Sequence, residues 1–236
     1  MALVFEQLFD PESSTYTYLV GDGDAKVAAL IDPVVEELER DLERIAAHGF
    51  RLVHTIETHV HADHVTGGGA LAERTGSLPV VHRDSPVTCE ALRLGGGDTL
   101  RLGALVLTAI ETPGHTPESL SFLLLSNEAA RVFTGDALLI GTCGRTDFQG
   151  GDPGALFDSI HERLFTLPDE TLVFPAHDYN GRASSTIGAE KRGNTRVAGK
   201  TRDEFITLMN HLGLPPPKKL DAALSANLAC GRPPQA

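Results

Sequence analysis

Three histidines and one aspartate fall within the six residues His59-Val60-His61-Ala62-Asp63-His64. Neutral imidazole and carboxylate are the ligand set for zinc, iron or manganese. A His-X-His pair aims two rings at one point when its backbone is extended or tightly turned. Further along stand Pro113-Gly114-His115-Thr116, Gly135-Asp136 and Pro175-Ala176-His177. Alone, His115 or His177 reads as a structural histidine, Asp136 as a turn carboxylate, and the first cluster as a histidine-rich surface loop. All four, however, follow β-rich segments and sit beside Gly or Pro. Strand-end loops on a rigid scaffold are where open α/β and α+β folds build sites, so the convergence argues for a metal centre.

The elements that must position these residues can be read from apolar spacing and breakers. Leu3–Phe9, Thr15–Val20 and Lys26–Ile31 read as strands, with turns at Pro11 and at Gly21-Asp22-Gly23-Asp24. Asp32-Pro33 reads as a helix start, Asp as N-cap and Pro at the first helical position. Val34, Leu38, Leu42, Ile45 and Ala46 recur at helical spacing before Gly49. Arg51–Glu57 is the strand that delivers the cluster, followed by a helix over Thr66–Thr75 and a strand at Leu78–Val81. Asp98–Ile110 alternates apolar and polar residues, breaks at Gly103 and predicts a β-hairpin. Ser119–Leu125, Arg131–Thr134 and Thr171–Phe174 are further strands. Asp152-Pro153 repeats the N-cap and proline signal ahead of the apolar stripe Leu156, Ile160, Leu164. Beyond Ser184 the chain is more polar, carries Pro215-Pro216-Pro217, and is expected to be helical or irregular with no new strand.

The 236 residues suffice for a sizeable core, and 41% hydrophobic with 22% charged residues is ordinary for a globular protein. A net charge of −12 repels phosphate backbones, so nucleic acid is excluded as a partner class. No apolar run reaches the roughly 20 residues that span a bilayer, and the N-terminus lacks the pattern of a signal peptide. Cys89, Cys143 and Cys230 are too few and too scattered for a disulfide framework or a Cys-rich zinc site. Their odd number, with no export signal, suggests a reducing cytoplasm.

The set Thr-His-X-His-X-Asp-His, Pro-Gly-His-Thr, Gly-Asp and Pro-Ala-His, in that order over about the first three-quarters of the chain, resembles the metallo-β-lactamase superfamily. The resemblance implies an α/β (α+β) fold, the αββα sandwich of two mixed β-sheets flanked by helices. The whole of 1–236 would be a single domain, with 184–236 a C-terminal extension packed on it. Gly135-Asp136-Ala137-Leu138-Leu139-Ile140, Cys143-Gly144-Arg145-Thr146-Asp147-Phe148-Gln149 and the tail Ala226-Asn227-Leu228-Ala229-Cys230-Gly231 are similar to the persulfide dioxygenases. Gly141-Thr142 stand where Arg-Gly is expected in the animal proteins.

That family implies one Fe(II) per chain, held by His59, His115 and Asp136. Two His and one carboxylate leave positions open for substrate sulfur and O₂. His61, Asp63, His64 and His177 would surround the ligands and orient them and bound water. Arg145 and Tyr179 would help hold glutathione, with a structural salt bridge as the competing role of Arg145. The implied reaction oxidises glutathione persulfide with O₂ and water to sulfite and glutathione. Cys143 and Cys230 are expected to be buried structural thiols, because the substrate brings its own sulfur. A homodimer is left open. The alternative is a dinuclear hydrolase of the glyoxalase II type acting on glutathione thioesters. There His59, His61 and His115 would hold one metal, Asp63, His64 and His177 the other, and Asp136 would bridge. Against it stand Thr146-Asp147-Phe148-Gln149, where glyoxalase II carries Phe-Glu-Gly, and the short C-terminal region. A non-enzymatic metal-binding scaffold is weaker still, because the full ligand set is retained.

Overall fold

Alternating apolar strands near the N-terminus pair in hairpin order and then switch to parallel pairing, which is what brings loop ends together. In the computed structural model, which describes residues 2–215 and 220–232, β1 (Leu3–Asp10) and β2 (Thr15–Asp22) are antiparallel, as are β2 and β3 (Val27–Ile31). β3, β4 (Arg51–Ile56), β5 (Leu78–His82) and β6 (Leu92–Leu94) then run parallel. The first sheet has the order β1-β2-β3-β4-β5-β6. The second is also six-stranded, in the order β12-β11-β10-β9-β8-β7. Its strands are β7 (Thr99–Leu102), β8 (Leu105–Glu111), β9 (Leu120–Leu125), β10 (Ala130–Gly135), β11 (Leu172–Pro175) and β12 (Ser185–Thr186). β9 and β10 pair antiparallel, β10 and β11 parallel, so both sheets are mixed.

The described residues divide into two compact units, 2–94, 99–107 and 220–232 forming one, 95–98 and 108–215 the other. In the first, α1 (Leu38–Ala47) and α2 (Gly68–Thr75) bury Ile45 and Leu71 against Leu19, Leu30 and Leu52 of the sheet. In the second, α3 (Pro153–Ser159), its π-helical continuation Ile160–Leu164 and α5 (Arg202–Asn210) bury Leu156, Ile160 and Phe205 against Val132 and Val173. α4 (Ile187–Gly193) adds Ile187 to the same core. Each such Leu or Ile contributes about 1.5–3 kcal/mol relative to exposure, so these faces fix where the strand ends fall. α6 (Leu220–Asn227) returns the chain to the first unit. Pro216 and Pro217 of the proline run lie outside the described residues.

Several local expectations change. Asp152 does cap α3, accepting from the Gly154 and Ala155 amides with Pro153 in the first turn. Asp32 caps nothing: it is 1% exposed at φ 50, and α1 begins only at Leu38, after a 3₁₀ turn at Val35–Glu37. The Asp-Pro pair mimics a cap, but the carboxylate turns inward to donors on the next loop. The run beyond Ser184 does contain a strand, the two-residue β12, which pairs with β11 through Leu172 and Val173. β6 is a further strand that the apolar pattern does not announce, being three residues long. Cys89 and Cys230 form a disulfide, so Cys230 is not a free buried thiol and the odd cysteine count loses its force as a sign of compartment. A pair separated by 141 residues leaves no spacing pattern to read. Cys143 is free, buried in the second core. Among the described residues no helix is long and apolar enough to cross a membrane.

Candidate metal centre

Parallel register assembles the half of the site that lies in the first unit. Ile31 of β3 pairs with Ile56 of β4, so the residues just beyond them, Asp32 and Glu57-Thr58-His59, leave the sheet side by side. Asp32 Oδ1 accepts the Thr58 amide at 2.8 Å and Oδ2 accepts the Thr58 hydroxyl at 2.9 Å. Since that hydroxyl donates to Asp32, its contact with His59 Nδ1 at 3.0 Å makes Nδ1 the donor. His59 is thereby held as the Nδ1–H tautomer, with the Nε2 lone pair available to a metal.

His61 and His64 are arranged differently. His61 Nε2 faces Asp32 Oδ1 at 3.1 Å and Glu57 Oε2 at 3.7 Å. Burial works against charge on His61, but Asp32, Asp63 and Glu57 outweigh it and lift the ring to about 9. Burial pushes Glu57 up to about 7. His64 Nδ1 meets Asp63 Oδ2 at 3.0 Å and Thr15 Oγ1 at 3.3 Å. His61, Asp63 and His64 bring donor atoms within 4.8 Å of one another, as do Asp32, Glu57 and His61.

The second unit repeats the device. Gly135 of β10 registers with Pro175 of parallel β11, so Asp136 and His177 emerge together. His177 Nδ1 donates to Asp136 Oδ1 at 2.7 Å, while Asp136 Oδ2 lies 3.7 Å from His115 Nε2. His115 Nδ1 donates to the Arg145 carbonyl at 2.7 Å, which fixes the Nδ1–H tautomer and leaves Nε2 toward Asp136. The His115 loop is pinned by α3: the Asp152 amide donates to the Gly114 carbonyl at 2.9 Å, and Ser159 Oγ to the Pro113 carbonyl at 2.7 Å. Gly114 must be glycine, because it sits at φ 138 and a Cβ there would enter the Leu156 backbone. Gly144 is needed for space: a Cβ would run into the Asp136 carbonyl and come within 3.0 Å of His115 Nδ1. The Cys143-Gly144-Arg145 run therefore packs against two donor residues through its backbone, a role its side chains do not announce.

A cavity of ≈380 Å³ in this unit is lined by Asp136, Cys143, Gly144, Arg145, Tyr179 and Arg196, among others. The Arg145 guanidinium is engaged: Nε and Nη2 donate to Asp147 at 2.6 Å each, and Nη1 donates to the Pro215 carbonyl at 2.6 Å. Tyr179 is 71% exposed, its ring parallel to that of His177. Arg196, which the sequence did not single out, donates Nη1 to the Cys143 carbonyl at 2.7 Å. Burial pushes the Cys143 thiol up to about 12, so it stays protonated and is no nucleophile.

The Metallo-beta-lactamase superfamily model matches residues 10–177, which takes in all of these histidine and carboxylate donors. "Persulfide dioxygenase ETHE1, mitochondrial" of Mus musculus is 44% identical over 230 residues, covering 97% of this chain and 89% of the mouse protein. The chain belongs to the persulfide dioxygenase family of the metallo-β-lactamase superfamily. The crystal structure of ETHE1 from Myxococcus xanthus matches with a TM-score of 0.93 at 53% identity, over 97% of this chain and 100% of that one. A hydroxyacylglutathione hydrolase of Polaromonas sp. is 32% identical over 167 residues, 70% of this chain and 62% of the hydrolase. The dioxygenase relatives thus match nearly the whole chain, the hydrolase a smaller share of it. Two mixed sheets flanked by helices are the fold of this family, as the sequence motifs imply.

Proposed function

We propose that this enzyme is a mononuclear iron dioxygenase that oxidises glutathione persulfide with O₂ and water to sulfite and glutathione. His59, His115 and Asp136 would hold the metal, a two-histidine, one-carboxylate donor set. What supports this reading is the donor set His59, His115 and Asp136 in a chain 44% identical over 97% of its length to a persulfide dioxygenase. His59 and His115 each have Nδ1 committed to a neutral oxygen, from Thr58 and Arg145, which is how a ligating imidazole is prepared. His61 and His177 instead each direct a ring nitrogen to a carboxylate, Asp32 and Asp136. A carboxylate supports a ligating imidazole as well as a carbonyl does, so metal content rather than these contacts separates one metal from two. Fe(II), when bound, supplies open positions for the persulfide sulfur and O₂ and the electrons that activate O₂.

The protein's own groups do the rest. Thr58, relayed by Asp32, and the Arg145 carbonyl hold the two imidazoles in the required tautomer and orientation. His177 fixes the Asp136 carboxylate by bonding Oδ1, which directs Oδ2 toward His115. The cavity beside Asp136 is of a size that admits a small peptide thiol. Arg196 and Tyr179 would meet its polar groups. Arg145 closes one wall by joining Asp147 to the Pro215 carbonyl.

Two outcomes test this reading. Elemental analysis should find about one iron per chain; two equivalents of zinc, with activity following zinc, would favour the hydrolase. Arg145→Ala should raise KM for glutathione persulfide with a smaller change in kcat, because it opens the cavity wall that Arg145 closes between Asp147 and Pro215. Because His115 is held by the Arg145 backbone carbonyl, iron content should not change in this variant. Loss of iron in Arg145→Ala would contradict that division between backbone and side chain.

A further inference from the structure

In the first unit the loop from His59 to Thr66 is fastened by a residue near the other end of the chain. Asn227 closes α6 and is buried. Its Nδ2 donates to the carbonyls of His61 and His64, both at 2.9 Å, and its Oδ1 accepts the Thr66 amide at 2.9 Å. The partners fix the orientation of the amide, since carbonyls only accept and an amide N–H only donates. An uncharged side chain with two donors and one acceptor on a single short stem is what this position requires. His59 consequently lies between two anchors, Thr58 on Asp32 and His61 on Asn227.

The residues just after Asn227 hold it in place. The Leu228 carbonyl accepts from the Thr88 amide at 2.8 Å, and the Cys230 carbonyl accepts from the Gly69 amide at 2.8 Å. Cys230 and Gly231 both turn through the left-handed region, at φ 58 and 75, and a Cβ at 231 would strike the Thr66 carbonyl. The disulfide then ties Cys230 to the half-buried Cys89, in the same loop as Thr88. Such a long-range cross-link strongly restricts the ways the segment can leave.

We propose that Asn227 is a positioning residue for the metal-binding loop, and that the Cys89–Cys230 disulfide keeps it seated, so that opening the disulfide loosens the metal. The inference rests on His59 being a metal ligand. A phosphine opens the bond without itself offering a thiol to the metal. Phosphorus takes one sulfur, water supplies the oxygen of the phosphine oxide, and the two protons of that water end on the two cysteine sulfurs. The test monitors the rate at which iron-loaded full-length protein loses iron to a chelator, for oxidised wild type, phosphine-reduced wild type, Cys89→Ser and Asn227→Asp. Asn227→Asp keeps the acceptor for Thr66 and removes both donors. Iron loss should be at least about tenfold faster in the last three, within the range for groups that support ligands, and phosphine should not accelerate Cys89→Ser further. Rates within twofold of oxidised wild type in the reduced and Asn227→Asp proteins overturn the proposal. Hydrogen exchange of the Thr66 amide is measured on metal-free protein in parallel and should quicken on reduction. If oxidised wild type retains no iron, the ligand reading fails separately, and unchanged Thr66 exchange on reduction then overturns the clamp. If Asn227→Asp does not fold, the reduced wild type decides.

Discussion

His115→Ala and Asp136→Ala proteins are expected to be isolated without iron and without persulfide-dependent oxygen uptake, whereas His177→Ala should retain iron with an affinity about 10–100-fold lower. Asp136 meets both histidines, so the difference in outcome comes from chemistry. His115 presents Nε2 toward Asp136 Oδ2 while its Nδ1 is occupied by the Arg145 carbonyl. On the proposed assignment, removing either residue would leave two of three ligands, and His115→Ala also leaves the Arg145 carbonyl without its buried partner. His177 acts on Asp136 through Oδ1, the oxygen that is bonded rather than directed toward His115. Its loss frees the carboxylate to rotate and leaves both metal-facing atoms present. His177→Gln, which keeps a donor, should recover part of the affinity. Metal analysis on the freshly purified variants checks this; equal loss of iron in all three would instead indicate that His177 is a ligand, as in the dinuclear alternative.

The second large effect is expected at Asp32. One buried carboxylate accepts from the Thr58 amide, the Thr58 hydroxyl and the His61 ring. Asp32→Ala strands all three in a site that is fully buried, a loss of the kind that costs about 3–5 kcal/mol when a buried pair is broken. For a chain of this length that lowers Tm by roughly 6–20 °C. Asp32→Asn partly separates stability from metal binding. The amide oxygen can still accept from the Thr58 amide, but the amide nitrogen now points a donor at the Thr58 hydroxyl. That hydroxyl must turn to accept from it and no longer serves His59 in the same way. Asp32→Asn should therefore melt above Asp32→Ala, though below wild type because His61 loses its buried charge partner, and hold iron about 10–100-fold more weakly. Calorimetry and metal titration on the same samples check it; a wild-type metal affinity in Asp32→Asn would mean that the relay through Thr58 does not matter.

The candidate donors could be singled out because strand-end loops rich in Gly and Pro mark them. Their supports could not. Asp32 followed by Pro33 carries the local signature of a helix cap, and only the parallel register of Ile31 with Ile56 reveals that it faces Thr58. The same register argument, Gly135 with Pro175, joins Asp136 to His177 across 41 residues. Asn227 and Cys230 were visible as part of a tail shared with the family, but no local pattern says that an asparagine reaches carbonyls 163 and 166 residues away. The Cys143-Gly144-Arg145 run marked the family; that it acts through a missing Cβ and a carbonyl is a fact of packing. The short strands β6 and β12 fall below the length at which alternation can be recognised.

The most direct measurement compares two reactions on one preparation of wild-type protein. In an oxygen electrode with glutathione persulfide, oxygen uptake should begin on addition of enzyme, scale with its iron content and yield sulfite. With S-lactoylglutathione, thioester hydrolysis by the same sample should stay near the uncatalysed rate, because one Fe(II) offers no second metal with which to share a bridging hydroxide. No oxygen uptake with the persulfide, together with rapid hydrolysis of the thioester, would contradict the account.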